Sequence, residues 1–423
     1  MTEFSTDLLN RQSTDELPED WSETPVQDLI EKHFCGPSPD CEERQIATDE
    51  EWGVLKTTAI TWGGWNENAH KVLPRSYWGR SALTVQRGDV LVTKAGPRDR
   101  VAVVVHVDGD PKRLIVSGKM IGLRPHRSAV VPQFLAGALS LRRPQNYIHA
   151  RTTGMAESQV NFANTVLLEA KVPIPKLDEQ TRIAAVLDTV DEATAKTEAV
   201  IAKLRQVRAG LLHDLLTRGL DAHGQLRDPI AHPEQFQDSP LGRIPNDWRV
   251  SPLGTECPLQ RGFDITVSEQ RDGDVPVVSS SGVNSYHDTA MVEGPGVVTG
   301  RKGKLGDVFY LESSFWPHDT SLWITNFHGN FPKFIALLLK SMRLERFDAA
   351  TSVPTLNRNT VHPVLARIPP LLEQKEIVQR VHELDETLAG EESWQRKLVL
   401  LKSGLMTDLL TGRVRVPLED KAS

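Results

Sequence analysis

Long apolar runs are missing from this chain: the strongest, Val101 to Val105 and Ile335 to Leu339, fall far short of the roughly 20 residues a membrane-spanning helix needs. The start, Met-Thr-Glu-Phe followed by polar and acidic residues, lacks the basic segment and apolar centre of a secretory signal, so the expected location is the cytoplasm. Cysteine is scarce. Cys35, Cys41 and Cys257 are too few for a disulfide framework and have no Cys-x-x-Cys spacing for structural zinc, which leaves unpaired thiols. Catalytic signatures are lacking as well. Gly300-Arg301-Lys302-Gly303-Lys304-Leu305-Gly306 has neither phosphate-loop nor dinucleotide spacing. There is no His-Glu-x-x-His and no Gly-x-Ser-x-Gly elbow, so His106, His287 and His318 read as packing or surface histidines. No metal site is expected.

What is present is uneven charge and ordinary globular material. Apolar residues make up 39% and charged residues 25% of 423, enough for two or three domains with their own cores. The net charge of −7 argues against a polyanionic partner until its distribution is considered. Residues 1–50 hold 14 acids against 3 bases, whereas residues 52–176 hold 18 Lys and Arg against 7 acids. The second segment can supply phosphate-neutralising surface; a solvated mixed-charge face is the alternative.

The chain repeats itself. Ile174-Pro175-Lys176-Leu177-Asp178-Glu179-Gln180 returns as Ile368-Pro369-Pro370-Leu371-Leu372-Glu373-Gln374, an offset of 194. The register holds without a gap from Gly210-Leu211-Leu212-His213-Asp214-Leu215-Leu216-Thr217 to Gly404-Leu405-Met406-Thr407-Asp408-Leu409-Leu410-Thr411, with 18 of 44 aligned positions identical, which excludes chance. Leu17-Pro18-Glu19-Asp20-Trp21 also reappears as Ile244-Pro245-Asn246-Asp247-Trp248, but at an offset of 227. The first half therefore carries an insertion, and the loop-forming Gly36-Pro37-Ser38-Pro39-Asp40-Cys41 is expected to be part of it.

After each Ile-Pro motif a helix is strongly specified. Ile183, Leu187, Val190, Thr194, Thr197, Ile201, Leu204, Arg208, Leu211 and Leu215 alternate steps of four and three, and Ile377, Val381, Leu384, Leu388, Glu391, Gln395, Leu398, Lys402, Leu405 and Leu409 repeat the pattern. This is a coiled-coil seam. Acids in the first turn and Gly219 and Gly412 at the ends fit the dipole and capping rules, and forty residues make a rod of about 60 Å. Thr197, Arg208, Glu391, Gln395 and Lys402 interrupt the seam with polar groups, which either set register or lie slightly off the seam and exposed. The expected fold class is α+β: two globular α/β domains separated by two long antiparallel coiled-coil helices, with an internal pseudo-two-fold repeat. The divisions are an acidic tail (1–16), first domain (17–173), first helix (174–218), linker (219–243), second domain (244–367), second helix (368–413) and C-terminal tail (414–423). Val101–Val107, Arg113–Val116 and Gly296–Thr299 read as strands. Val131–Leu139 and Phe331–Leu339 read as helices opened by Pro, and Gly300–Gly306 as a cationic turn between strands.

The duplicated Ile-Pro motif and heptad helix, together with Ile244-Pro245-Asn246-Asp247-Trp248, Gly300-Arg301-Lys302-Gly303 and Pro354-Thr355-Leu356-Asn357-Arg358, resemble the specificity subunit of type I restriction-modification systems over about residues 17–413. The resemblance implies a non-catalytic DNA-recognition chain. Each domain would read one half of a bipartite target in double-stranded DNA, and the helices would set the spacing and dock two methyltransferase subunits. Motor-nuclease subunits would join, and S-adenosylmethionine, ATP and Mg²⁺ would belong to those partners. Candidate DNA contacts are Lys94, Arg98, Arg100, Arg142, Arg143 and Arg151 in the first domain and Arg301, Lys302, Lys304, Asn357 and Arg358 in the second. Candidate interface positions are Ile183, Leu187, Ile201, Leu204, Leu211, Leu215, Ile377, Val381, Leu398, Leu405 and Leu409. The first half departs from the pattern, with Thr153–Gln159 expected in place of Pro354–Asn357. The competing readings are a scaffold that binds proteins at both ends, separable by salt-sensitive retention on DNA, and an enzyme with an unrecognised site.

Overall fold

A computed structural model describes residues 17–348 and 353–416. The acidic tail at 1–16 lies outside the described residues, as do residues 417–423 of the C-terminal tail. Two compact units emerge, Met1–Thr197 with Trp394–Ser423, and Glu198–Ser393. Each contains one globular domain, the first part of one long helix and the end of the other.

The duplication reaches into the sheets of the domains, beyond the opening motif repeated in the sequence. In the first, Ile30–Phe34, Met120–Pro125, Val90–Thr93 and Val104–His106 lie in that order in an antiparallel sheet. Numbered along the chain, the order is first, fourth, second, third. In the second domain Leu259–Arg261, Ser321–Ile324, Gly296–Gly300 and Val308–Leu311 repeat it. A smaller sheet is duplicated too. Gly53–Leu55 pairs antiparallel with His70–Val72 and parallel with Leu114–Ile115, as Val275–Ser279 does with Gly282–His287 and Trp316–Pro317. Finally, Ser22–Pro25 pairs with Lys171–Ile174, and Arg249–Pro252 with Leu365–Ile368, so each Ile-Pro motif is a strand end that launches a long helix.

The insertion is spread over several connections: the segment 35–52 that carries Gly36–Cys41 is longer than its counterpart 262–274, and larger additions follow it. The smaller sheet's hairpin turns directly at residues 280–281 in the second domain but runs through 56–69 in the first, and 73–89 replaces the shorter 288–295. The Val101–Val107 strand is also shorter than its composition implies, because Ala102 adopts φ 62° and only Val104–His106 pairs. Gly296–Gly300 is a strand as expected, and Pro132–Leu139 and Pro332–Ser341 are the two helices opened by Pro.

The long helices are continuous from Leu177 to Leu215 and from Leu371 to Leu410, and every seam position named above is buried or half-buried. In the first unit Ile183 and Leu187 share a core with Leu409, Leu410, Phe134 and Leu139. In the second, Ile377 and Val381 share one with Leu215, Phe334 and Leu338. Burial of the Ile183, Leu187, Ile377 and Val381 side chains, worth about 1.5–3 kcal/mol apiece, fuses each helix to a domain. Within the second unit Arg208 pairs with Asp385 and Arg205 with Glu392, so the helices run antiparallel. Among the described residues no helix is long and apolar enough to cross a membrane.

Candidate nucleic-acid interface

The repeated Glu-Gln pair at each helix start orients its domain. Gln180 accepts from the Val131 amide at 2.8 Å and donates to the Pro175 carbonyl at 2.9 Å. Gln374 does the same with Phe331 at 2.8 Å and Pro369 at 2.9 Å. Each glutamine therefore satisfies a backbone donor at the entry of the Pro-opened helix, which would otherwise be buried unpaired. The preceding glutamates hold arginines that follow the other helix. Glu179 accepts Nε and Nη2 of Arg415 at 2.6 and 2.8 Å, and Arg415 also binds Asp20 at 2.8 and 2.9 Å. Glu373 accepts Arg227 Nη1 and the Leu220 amide, both at 2.7 Å, and Trp248 Nε1 at 2.9 Å, while Arg227 reaches Asp247 at 3.0 Å. Both repeated motifs thus converge on one ion-pair cluster in each unit.

In the first domain the candidate contacts surround one edge of the sheet but are unequally free. Lys94 donates to Asn164 at 2.7 Å, and Arg98 pairs with Glu157 at 2.6 Å. Arg100 turns to the carbonyls of Thr57 and Ile60 at 3.4 and 3.5 Å, bracing the hairpin that carries the exposed Trp62. Arg142 and Arg143 are exposed at the start of a short helix, with Arg143 paired to Glu23. Arg151 stacks on Tyr147 at 3.7 Å. The counterpart of Pro354–Arg358 is Val160–Asn164, not Thr153–Gln159. Ala95 and Gly96 pair with Asn161 and Val160, as Lys302 pairs with Thr355, and the buried Phe162 and Leu356 each precede a short helix.

Three of the second domain's candidates, Arg301, Asn357 and Arg358, line a groove of about 920 Å³ together with Gln260, Arg261 and Asp264, and Lys302 and Lys304 are not in its lining. Arg301 donates from Nε to the Asp319 carbonyl at 2.7 Å. Lys304 pairs with Asp307 at 2.7 Å, and Asn357 caps its helix by accepting from the Asn359 amide at 2.9 Å. Lys302 and Arg358 are exposed and carry no side-chain ion pair among the described residues. Burial depresses the His106 pKa, and His287 is buried edge-on to Trp316 at 5.3 Å, both in keeping with packing roles.

The model of the type I restriction modification DNA specificity domain matches residues 18–206 and again 245–399, one copy for each half of the repeat. The chain belongs to the type I restriction-modification DNA specificity family. It is 23% identical to the putative type I restriction enzyme MjaX specificity subunit of Methanocaldococcus jannaschii, over 95% of each chain. It is 30% identical to the EcoEI specificity subunit of Escherichia coli over 48% of this chain and 34% of that one. The fold is shared with the S subunit from M. genitalium, with a TM-score of 0.58 at 16% identity, covering 94% of this chain and 98% of that one. As a specificity subunit the chain recognises target DNA, and catalysis lies in partner subunits.

For a specificity subunit the groove holds residues that the sequence did not single out. Gln260, Arg261 and Asp264 reach it from the end of one strand, and Asp319 lies behind Arg261 at 2.8 Å. Nothing in their spacing announces this, since the two segments are brought together by the pairing of Leu259–Arg261 with Ser321–Ile324.

Proposed function

We propose that each domain reads one component of a bipartite DNA target, and that the long helices set the spacing and dock two methyltransferase subunits. The observation that carries the reading is a repetition on the helix surfaces. Val200 and Val207 are 45% and 44% exposed, and Trp394 and Leu401, their counterparts 194 residues on, are 50% and 49% exposed. Apolar pairs seven residues apart lie on one helix face, and large side chains left in water in duplicate suit two copies of one partner. The paired domain folds support duplicated reading in the same way. S-adenosylmethionine, ATP and Mg²⁺ are assigned to the methyltransferase and motor-nuclease partners, and the assembly to the cytoplasm.

The test is exchange of residues 17–173 for the matching domain of a relative, followed by methylation mapping in cells that supply the partner subunits. One component of the methylated site should change while the other persists. Simultaneous change of both components would refute modular reading.

A further inference from the structure

The cations that line the second domain's groove, with Lys302 next to Arg301 in the chain, fall into two kinds. Lys302 and Arg358 project without ion-pair partners among the described residues, the posture of side chains that track phosphates as point charges. Arg261 and Arg301 are held from behind by one residue. Asp319 accepts Arg261 Nη2 on Oδ2 at 2.8 Å, and Arg301 Nη2 lies 3.7 Å from the same oxygen. The main-chain carbonyl of Asp319 takes Arg301 Nε at 2.7 Å, and Oδ1 faces His318 Nδ1 at 3.1 Å. Asp319 thus meets both arginines, Arg261 through its carboxylate and Arg301 through its carbonyl, and its side chain is only 20% exposed.

The Arg261 backbone is equally constrained. The next residue is Gly262, where an added Cβ would fall 2.2 Å from the His318 carbonyl oxygen and 2.4 Å from that of Pro317. Its amide donates to Ser321 at 3.1 Å, and the amide of Phe263 donates to Pro317 at 2.7 Å. The two chains are thus locked together on either side of the Asp319 contact. The Arg301 side chain is 21% exposed and largely committed, whereas that of Arg261 is 58% exposed and engaged through a single terminal nitrogen. Arg261 lines the groove, and its guanidinium keeps further donors in the same plane beyond the one bound to Asp319. A fork held in place by a carboxylate matches the two acceptors, O6 and N7, that guanine alone presents in the major groove. Opposite adenine the same fork would meet the N6 amine, donor against donor. Asp264 lines the same groove and offers an acceptor suited to the N4 amine of the paired cytosine.

We infer that Arg261 reads one guanine in the component of the target assigned to the second domain, and that Asp319 is the positioning residue that holds its guanidinium in plane. This rests on the reading that the second domain contacts one component only.

The test is methylation mapping with the complete assembly carrying Arg261→Ala, Arg261→Lys, Asp319→Asn or Lys302→Ala. Arg261→Ala should relax one guanine position, with discrimination there falling by about 5- to 150-fold. Asp319→Asn should relax the same position, because a neutral amide holds the fork less firmly than the carboxylate does. Lys302→Ala should keep the full consensus. If Arg261→Ala abolishes methylation altogether, Arg261→Lys decides, since it keeps the charge and removes the fork. Relaxation at one guanine supports the contact, and an unchanged consensus overturns it. An unchanged consensus in Asp319→Asn beside a relaxed one in Arg261→Ala overturns the positioning role. A relaxed guanine inside the component altered by exchanging residues 17–173 refutes the assignment of components to domains and leaves the guanine contact standing.

Discussion

Arg208 on the first long helix donates from Nε and Nη2 to the two carboxylate oxygens of Asp385 on the second. Both partners are seam or seam-flanking residues, and the pair has a twin: Asp191 and Lys402 stand at the same places 194 residues away and also form an ion pair. An isolated Arg or Lys in an apolar seam is a defect, but two pairs in one register tell antiparallel helices where to stop sliding. Partial exposure, 26% for Arg208 and 41% for Asp385, limits the energy to about 0.5–1 kcal/mol.

A charge exchange isolates that contribution. Arg208→Asp alone places two carboxylates together and should lower the melting temperature, whereas Arg208→Asp with Asp385→Arg should recover most of the loss. A double variant no more stable than the single one would show that the pair contributes nothing to register.

Removing a clasp glutamate should be far more damaging. The side chains of Glu373 and Arg227 are 8% and 10% exposed, and breaking a buried pair by losing one partner costs roughly 3–5 kcal/mol. Glu373→Gln should therefore destabilise the second unit more than Glu179→Gln does the first, where Arg415 remains 45% exposed. Hydrogen exchange resolved by segment would compare the two units. The first clasp also has an acid limit. The Arg415 hydrogen bond holds the Asp20 carboxyl below its ordinary pKa. Its contribution is complete above the ordinary aspartate range and is lost as pH falls through the depressed value. Protection of residues 413–416 should persist in mild acid and fail in strong acid, and Asp20→Asn should flatten that dependence.

How much of this was legible in sequence depended on distance along the chain. The helices, their seam and the duplication are local patterns or gap-free repeats, so they could be read directly. The Glu-Gln pair was visible as a repeat, but its role was not. Arg227 and Arg415, the partners of Glu373 and Glu179, lie beyond the helix ends at positions unrelated by the offset of 194. The sheet order was hidden because its strands pair across loops whose lengths differ between halves. For the same reason Asn164 went unnoticed as the first-domain counterpart of the Asn357–Arg358 region.

Lys302 and Arg358, exposed and without an ion pair among the described residues, give a salt-dependence test. Lys302→Ala and Arg358→Ala should each lower the slope of log affinity against log salt by about one unit, the signature of one lost phosphate contact. Unaltered slopes in titrations of the assembled complex would place both residues away from the DNA backbone.

Partner docking makes a stoichiometric prediction. Trp394→Asp with Leu401→Asp should remove one methyltransferase copy from the assembly, and Val200→Asp with Val207→Asp the other, because an unpaired charge is costly in an apolar contact. Native mass spectrometry should show one copy bound to each double variant in place of two. Two copies on both variants would exclude these faces as docking sites.

The claim that the helices measure the target is tested most directly by lengthening them. One heptad added after Thr197 and one after Glu391 preserve the seam and extend the rod by about 10.5 Å, or about three base pairs. Methylation mapping should then lose the original site and recover one with both components intact and a longer gap between them. Retention of the original spacing at undiminished efficiency would contradict the account.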